Sequence, residues 1–593
     1  MQPRQTRTTL FCATLIAITG LCSCTSAPEM GDTQPTETQL KHQAAPIEEI
    51  TVTGTRLQQS QQVAARSDEA SRSPGSPPSS PATASAAAPV AMTASPVMDA
   101  YSAPSPAYLQ GRAANTEKYA RPGDNPVQRA SEQPVSTFSV DVDTGSYSNV
   151  RRMLREGSRP PADSVRAEEF INYFSYRHPA PLDRSVPFRV TTELAPAPWN
   201  NDRQLLMVGI KGYEVAKASL PPSNLVFLID TSGSMDAADK LPLLVESLSM
   251  LVPQLRAQDR VAIVVYAGSA GVVLPPTPGN RHAEILAALD RLQAGGSTNG
   301  GDGIRLAYAM ARQAYQPRGV NRVILSTDGD FNVGTVNQQA LETLVADQRK
   351  TGIALTTLGF GQGNYNDAMA ERLADVGDGN HAYIDSAREA SKVLVHGMQS
   401  TLLTIARDVK IQVEFNPSQV AEYRLIGYEN RVLQREDFAN DRVDAGDIGA
   451  GHEVTALYEI TLVGSAAQRL PALRYGQAPA TAPGRNGELA HLRLRYKLPG
   501  ANQSTLIETP ISAAALSRQP SESMRFATAV AAYADLLRGG SNIGSWSWND
   551  VAQAARGAQG KDALGLRAEF VDLVLQARSI VSAESTRPAI AGE

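Results

Sequence analysis

Cysteine is nearly missing from this 593-residue chain, and the 3 that occur, Cys12, Cys22 and Cys24, all lie within the first 24 residues. Nothing beyond Cys24 can form an internal disulfide or offer a thiolate to a metal, which excludes disulfide scaffolds, zinc ribbons, iron–sulfur centres and cysteine proteases for the folded body. Histidine is also scarce. The 7 present, His42, His178, His282, His381, His396, His452 and His491, never fall at ligand spacing, which argues against a His-based zinc centre. A GxSxG elbow and a GxxxxGK[ST] loop are both lacking. Neither charge sign is in large excess: 55 basic and 60 acidic side chains leave -5, which gives no electrostatic reason for bulk nucleic-acid or anionic-membrane binding. What remains is ordinary globular composition, 42% hydrophobic and 19% charged. The length allows roughly three to five domains.

Arg4 and Arg7 precede an apolar stretch, residues 10–21, that is shorter than the ~20 residues of a spanning helix but suits a secretory leader. The leader runs into Leu21-Cys22-Ser23-Cys24, which resembles a bacterial lipobox. That resemblance implies a signal peptide over residues 1–23 and lipidation of Cys24. Thr25 is not the aspartate of an inner-membrane retention signal, so the implied location is the outer membrane, facing the periplasm or the surface. Residues 24–133 are dominated by Ser, Pro, Ala, Thr and Gln and are expected to form a disordered tether, because so little apolar surface cannot offset the entropy of ordering. Within it, EEITVTGTRL at residues 48–57 resembles the opening of the plug of TonB-dependent receptors. The chain lacks the strands of such a barrel, so a β-prone stretch without receptor function is expected.

Beyond residue 133 the pattern is that of folded protein. A strand-like VSTFSVDV precedes helical periodicity at residues 147–156 and 164–173, and residues 188–194 and 205–210 alternate as strands. A strictly alternating block follows, with strands predicted at 225–230, 260–267, 322–327 and 353–360 and helices at 241–256, 282–292, 303–315 and 336–350. Apolar strands followed by amphipathic helices imply a parallel sheet covered on both faces. Residues 408–414, 453–462 and 491–498 read as strands of an antiparallel module. Residues 524–538, 549–557 and 562–577 read as a helical tail. Trp546 and Trp548, in GSWSWND, are expected to pack that tail against its neighbour.

In open α/β sheets ligands sit beyond the carboxyl ends of the strands. The strand at 225–230 runs into Asp230-Thr231-Ser232-Gly233-Ser234, a pre-helix loop carries Gly295-Gly296-Ser297-Thr298, and a later strand runs into Thr327-Asp328-Gly329. This DxSxS, Thr, Asp series resembles the metal-ion-dependent adhesion site of the von Willebrand factor A family. The resemblance implies that Asp230, Ser232, Ser234, Thr298 and Asp328 bind Mg²⁺ (or Mn²⁺), the hydroxyls directly and the carboxylates mostly through water. A hard divalent ion wants about six oxygens, and one with few direct carboxylates keeps enough charge to attract an acidic side chain of a partner protein. FSVDVDTGSYSNVRRML, RAEEFINYF and ILSTDGDFNVG further resemble a bacterial, YfbK-like subfamily of such lipoproteins over roughly residues 135–580.

The expected architecture is α/β. A Rossmann-like doubly wound A domain (223–404) is inserted in or flanked by a β-sandwich module, after an N-terminal family domain (134–222), with a β-rich module at 405–500 and a C-terminal helical region at 501–593. Strands on either side of the A domain can pair into one sandwich, since the two ends of an α/β block can lie close together. Asp143-Thr144-Gly145-Ser146 spells an aspartic-protease loop but lacks a second such carboxylate, and reads as a strand ending in a turn. Gly359-Phe360-Gly361-Gln362-Gly363 resembles a dinucleotide loop but has Asn364 at its last position. The leading expectation is a lipid-anchored, non-enzymatic, metal-dependent binder of an acidic protein partner, with no nucleic-acid role. The rival is a scaffold that binds through its β-module or tail without metal.

Overall fold

The computed structural model describes residues 123–586 apart from 299, 330–337, 364, 472–473 and 475–486, together with Glu117 and Tyr119. All of them belong to one unit, residues 106–593. The expected signal peptide, the lipidated Cys24 and the segment at 48–57 lie outside the described residues.

The alternating block folds as expected. Its sheet has the order His381–Ile384, Ala354–Phe360, Val320–Thr327, Ser223–Asp230, Arg260–Tyr266, Ala270–Pro278. The first five strands are parallel and the last is antiparallel. Every residue of Ser223–Asp230 is buried, as a strand with helices on both faces requires. Leu225, Phe227 and Ile229 join one core cluster, while Val226 and Leu228 join another, because successive side chains point to opposite faces.

The strands outside this block form two further sheets. One has the antiparallel order Gln128–Arg129, Val420–Ile426, Glu453–Leu462, Asn200–Gly212, Phe188–Ala197. The other runs Ile448–Gly449, Thr404–Phe415, Glu488–Lys497, Thr505–Ser512, with Val135–Ser139 also on Thr404–Phe415. The two sheets share a core in which Phe415 lies against Tyr423 and Tyr458, with ring centroids 4.2 and 5.3 Å apart. Strands from before and after the A domain thus build one sandwich. The chain entering the A domain (Leu220, Pro221) and the chain leaving it (Leu402, Leu403) line one small cavity, which makes the insertion geometrically simple.

The first sheet is buried on its other face as well. Leu205, Met207 and Leu457 turn away from the sandwich core and pack on a helical cluster. That cluster joins the N-terminal helices Gly145–Arg155 and Ala167–Asn172 to the tail helices Glu522–Arg538, Trp548–Arg556 and Leu566–Thr586. Trp546 packs edge-on against Trp199 at 5.7 Å and Trp548 against Tyr533 at 5.9 Å, as expected of residues that dock the tail.

Two boundaries move. The expected tether extends to residue 133, but Gln128 and Arg129 pair with Tyr423 and Glu422, so the fold begins earlier. The region expected to be helical from residue 501 opens with a sheet-edge strand, Thr505–Ser512, whose Glu508 and Pro510 conceal it in the sequence.

Candidate functional site

Three loops meet at the carboxyl end of the parallel sheet. Asp230 ends its strand fully buried, and its Oδ1 accepts from the backbone N–H of Ser232 at 2.9 Å, the local turn that Asp favours. Ser234 follows in the short 3-10 turn Gly233–Asp236, and its hydroxyl lies 3.1 Å from that of Ser232. The Gly295–Thr298 loop is stitched to this turn by two backbone bonds: Gly295 N–H to Thr231 O at 2.8 Å and Gly233 N–H to Gly296 O at 3.0 Å. Thr298, half-buried, stands just before helix Gly300–Gln313. Asp328 follows the neighbouring strand and is fully buried. Beside it, Thr327 Oγ1 lies 3.5 Å from Asp230 Oδ2 and accepts from Gly329 N–H at 3.1 Å. Gly329 has φ +89°, and a β-carbon there would overlap the backbone of Tyr365 and Asn366, so only glycine fits this turn.

Burial pushes the Asp230 carboxyl up to about 6, against the opposing Ser232 N–H and with the Asp328 carboxylate adding to the rise. Two residues of the surroundings escaped sequence reading. Thr327 ends its strand, and Lys240 stands just before helix Leu241–Leu251, from where its Nζ donates to Asp328 Oδ2 at 2.8 Å. Ten positions separate Lys240 from Asp230, and no local pattern links them.

The donors fit a hard cation. All are oxygens, and adjacent ligands of an octahedral ion at ~2.1 Å stand about 3.0 Å apart, close to the Ser232–Ser234 hydroxyl separation of 3.1 Å.

A second acidic region was not foreseen. Asp141, Glu169 and Glu371 bring carboxylate oxygens within 4.8 Å of one another. Arginines occupy it. Arg166, 1% exposed, binds Glu169 and reaches Asp367 at 2.7 Å and Glu371 at 3.5 Å. Arg431 reaches Asp141 at 3.0 Å, Glu371 at 3.2 Å and Asp375 at 2.8 Å. Burial alone would raise the Asp367 carboxyl, but Arg166 and His381 hold it well below the usual range. Arg166, Asp141 and Arg431 come from the surrounding module while Asp367 and Glu371 sit on the A-domain helix Asp367–Val376, so the network welds the inserted domain to its host. The Asp143-Thr144-Gly145 loop belongs to this seam: Asp143 Oδ1 accepts from the His381 backbone N–H at 2.9 Å, and burial with Asp141 nearby holds its carboxyl well above the usual range.

Comparison with known proteins agrees with this architecture. The von Willebrand factor type A domain matches residues 224–396, a region described as von Willebrand factor matches 113–207, and one described as uncharacterized protein YfbK, C-terminal, matches 400–580. Uncharacterized protein YfbK of Escherichia coli (strain K12) is 49% identical over 466 residues, covering 77% of this chain and 80% of that one. The chain belongs to the YfbK family. Uncharacterized protein sll0103 of Synechocystis is 30% identical over 171 residues, 28% of this chain and 39% of its own. Among solved structures, the ArnB paralog VWA2 from Sulfolobus acidocaldarius is similar at 17% identity and TM-score 0.34, covering 67% of this chain and 98% of that one.

Proposed function

We propose that this YfbK-family protein uses Asp230, Ser232, Ser234, Thr298 and Asp328 of its A domain to hold Mg²⁺ or Mn²⁺, and captures an acidic side chain of a protein partner at the ion's open position. The observation that carries this reading is the hydroxyl pair Ser232–Ser234, set 3.1 Å apart beside a buried Asp230. The role is binding without catalysis. The module is anchored through Cys24 in the outer membrane and carried on the 24–133 segment. The packing of Trp546 and Trp548 into the helical cluster favours the metal loops over the tail as the contact surface.

Calorimetric titration of Mg²⁺ and Mn²⁺ into the full chain tests the ion, with Asp230→Ala and Ser232→Ala abolishing the heat while cooperative unfolding is kept. Cross-linking in cell envelopes then tests capture, and products that persist unchanged with chelator or in the Asp230→Ala protein would sink it. Palmitate labelling that survives Cys24→Ala would refute the anchor.

A further inference from the structure

Lys240 stands against the metal loops without belonging to the donor set. It is 6% exposed, and its ammonium sits 2.8 Å from Asp328 Oδ2. Its stem lies across Gly361, at φ +73°, where a β-carbon would overlap Lys240 Cγ, Cδ and Cε. The glycine of the GFGQG loop thus has a purpose unrelated to nucleotides: it leaves a slot for this side chain. Desolvating an ammonium and fixing a long side chain are both costly, so such a placement needs its partner carboxylate.

The formal charges then matter. Asp230 and Asp328 contribute two negative charges and Lys240 one positive, so a divalent ion leaves the site one charge positive, where without Lys240 it would be neutral. We propose that Lys240 is a tethered counter-cation of the metal site: it weakens divalent-ion binding by engaging Asp328 and keeps the loaded site positive, so that the site selects a carboxylate. The proposal rests on the metal reading of the site.

The test is Mn²⁺ titration of the full-length wild type, Lys240→Met and Lys240→Arg, followed by acetate titration of the Mn²⁺-loaded proteins read by water-proton relaxation. Lys240→Met is expected to bind Mn²⁺ about tenfold more tightly, as removal of a nearby like charge requires, and to bind acetate more weakly. Lys240→Arg is expected to stay close to wild type. Equal Mn²⁺ affinity in wild type and Lys240→Met would overturn the role of Lys240 and leave the metal site standing. Binding by Lys240→Met alone would support the counter-cation and refute the native metal reading, whereas binding by neither protein overturns both. Unchanged or tighter acetate binding in Lys240→Met would overturn the selectivity. If the methionine variant does not fold, Lys240→Gln, uncharged but still able to donate to Asp328, replaces it.

Discussion

The loops beyond Ser223–Asp230 and the seam around Arg166 are both buried and rich in carboxylates, but they are neutralised differently. At the seam, Glu169, Asp367 and Glu371 share one guanidinium, and Asp141 and Asp375 share another. At the loops, Lys240 engages Asp328, while the Ser232 amide and the Thr327 hydroxyl, both neutral, donate to Asp230, whose carboxyl is pushed up. A buried carboxylate whose cation is built in serves structure, whereas one ringed by neutral donors has its charge left for something that arrives. Proximity of acids alone does not separate the two cases, since the closest trio of described carboxylates is the one already taken by arginines.

The comparison breaks most visibly at Arg166. Arg166→Met leaves Glu169, Asp367 and Glu371 without that cation in a buried setting, and is expected to cost about 3–5 kcal/mol, measured by urea unfolding. A loss under about 1 kcal/mol would mean the seam is not what holds the inserted domain to its host.

Glu168 offers an effect of opposite sign, confined to high pH. It lies in the seam helix Ala167–Asn172, is 1% exposed and forms no ion pair among the described residues, and burial with the Glu429 carboxylate nearby pushes it up to about 8. Its unfolded value is about 4.3. Between those values the native state holds a proton that the unfolded chain has released, so stability falls as pH rises through this window. Glu168→Gln removes that loss. The variant is expected to match wild type near pH 4 and to exceed it at pH 9, by at most the roughly 5 kcal/mol that the full interval carries. A difference that stays constant across pH would contradict the assignment.

The two regions differed as much in legibility as in chemistry. The candidate metal loops were readable because Asp230 and Asp328 sit at the ends of apolar strands, a local pattern that LVFLID followed by DTSGS displays within a few residues, with Thr298 in a glycine-rich loop before a helix. The seam was not readable, since Arg166 and Asp367 are 201 positions apart and only the insertion brings them together. The same reasoning covers the missed strands. Ala270–Pro278 carries three prolines, tolerable because it is an edge strand paired antiparallel on one side, and His381–Ile384 has only four residues, too few to show a period. The sandwich was partly legible because Glu453–Leu462 alternates cleanly, while its partner Val420–Ile426, AEYR-rich and buried by tertiary packing, does not look apolar.

The smallest expected effect separates the regions most sharply. Asp230→Asn keeps an oxygen to accept the Ser232 N–H while removing a charge whose native carboxyl stands at about 6, above the ~3.9 of the unfolded chain. Across that interval the ionised carboxylate loses stability as pH rises. Without metal, the variant is therefore expected to be about 1 kcal/mol more stable than wild type at pH 8 and about 2 kcal/mol less stable below pH ~4, the roughly 3 kcal/mol of the full shift being offset at every pH by weaker hydrogen bonding of the amide. Mg²⁺ at a hundredfold excess over its dissociation constant adds about 2.7 kcal/mol to a protein that binds it only when folded. Wild type should then overtake Asp230→Asn, which gains nothing, while Arg166→Met, with its metal loops intact, gains as much as wild type despite its lower stability. Urea melts of the three proteins at pH 8 with and without Mg²⁺ give the comparison, and a shift shared by Asp230→Asn would mean that the ion binds elsewhere. An absent shift in Arg166→Met, with its domains still folded, would mean that the seam and the loops are not independent, because a network that only welds the domain in place has no charge to lend to the ion.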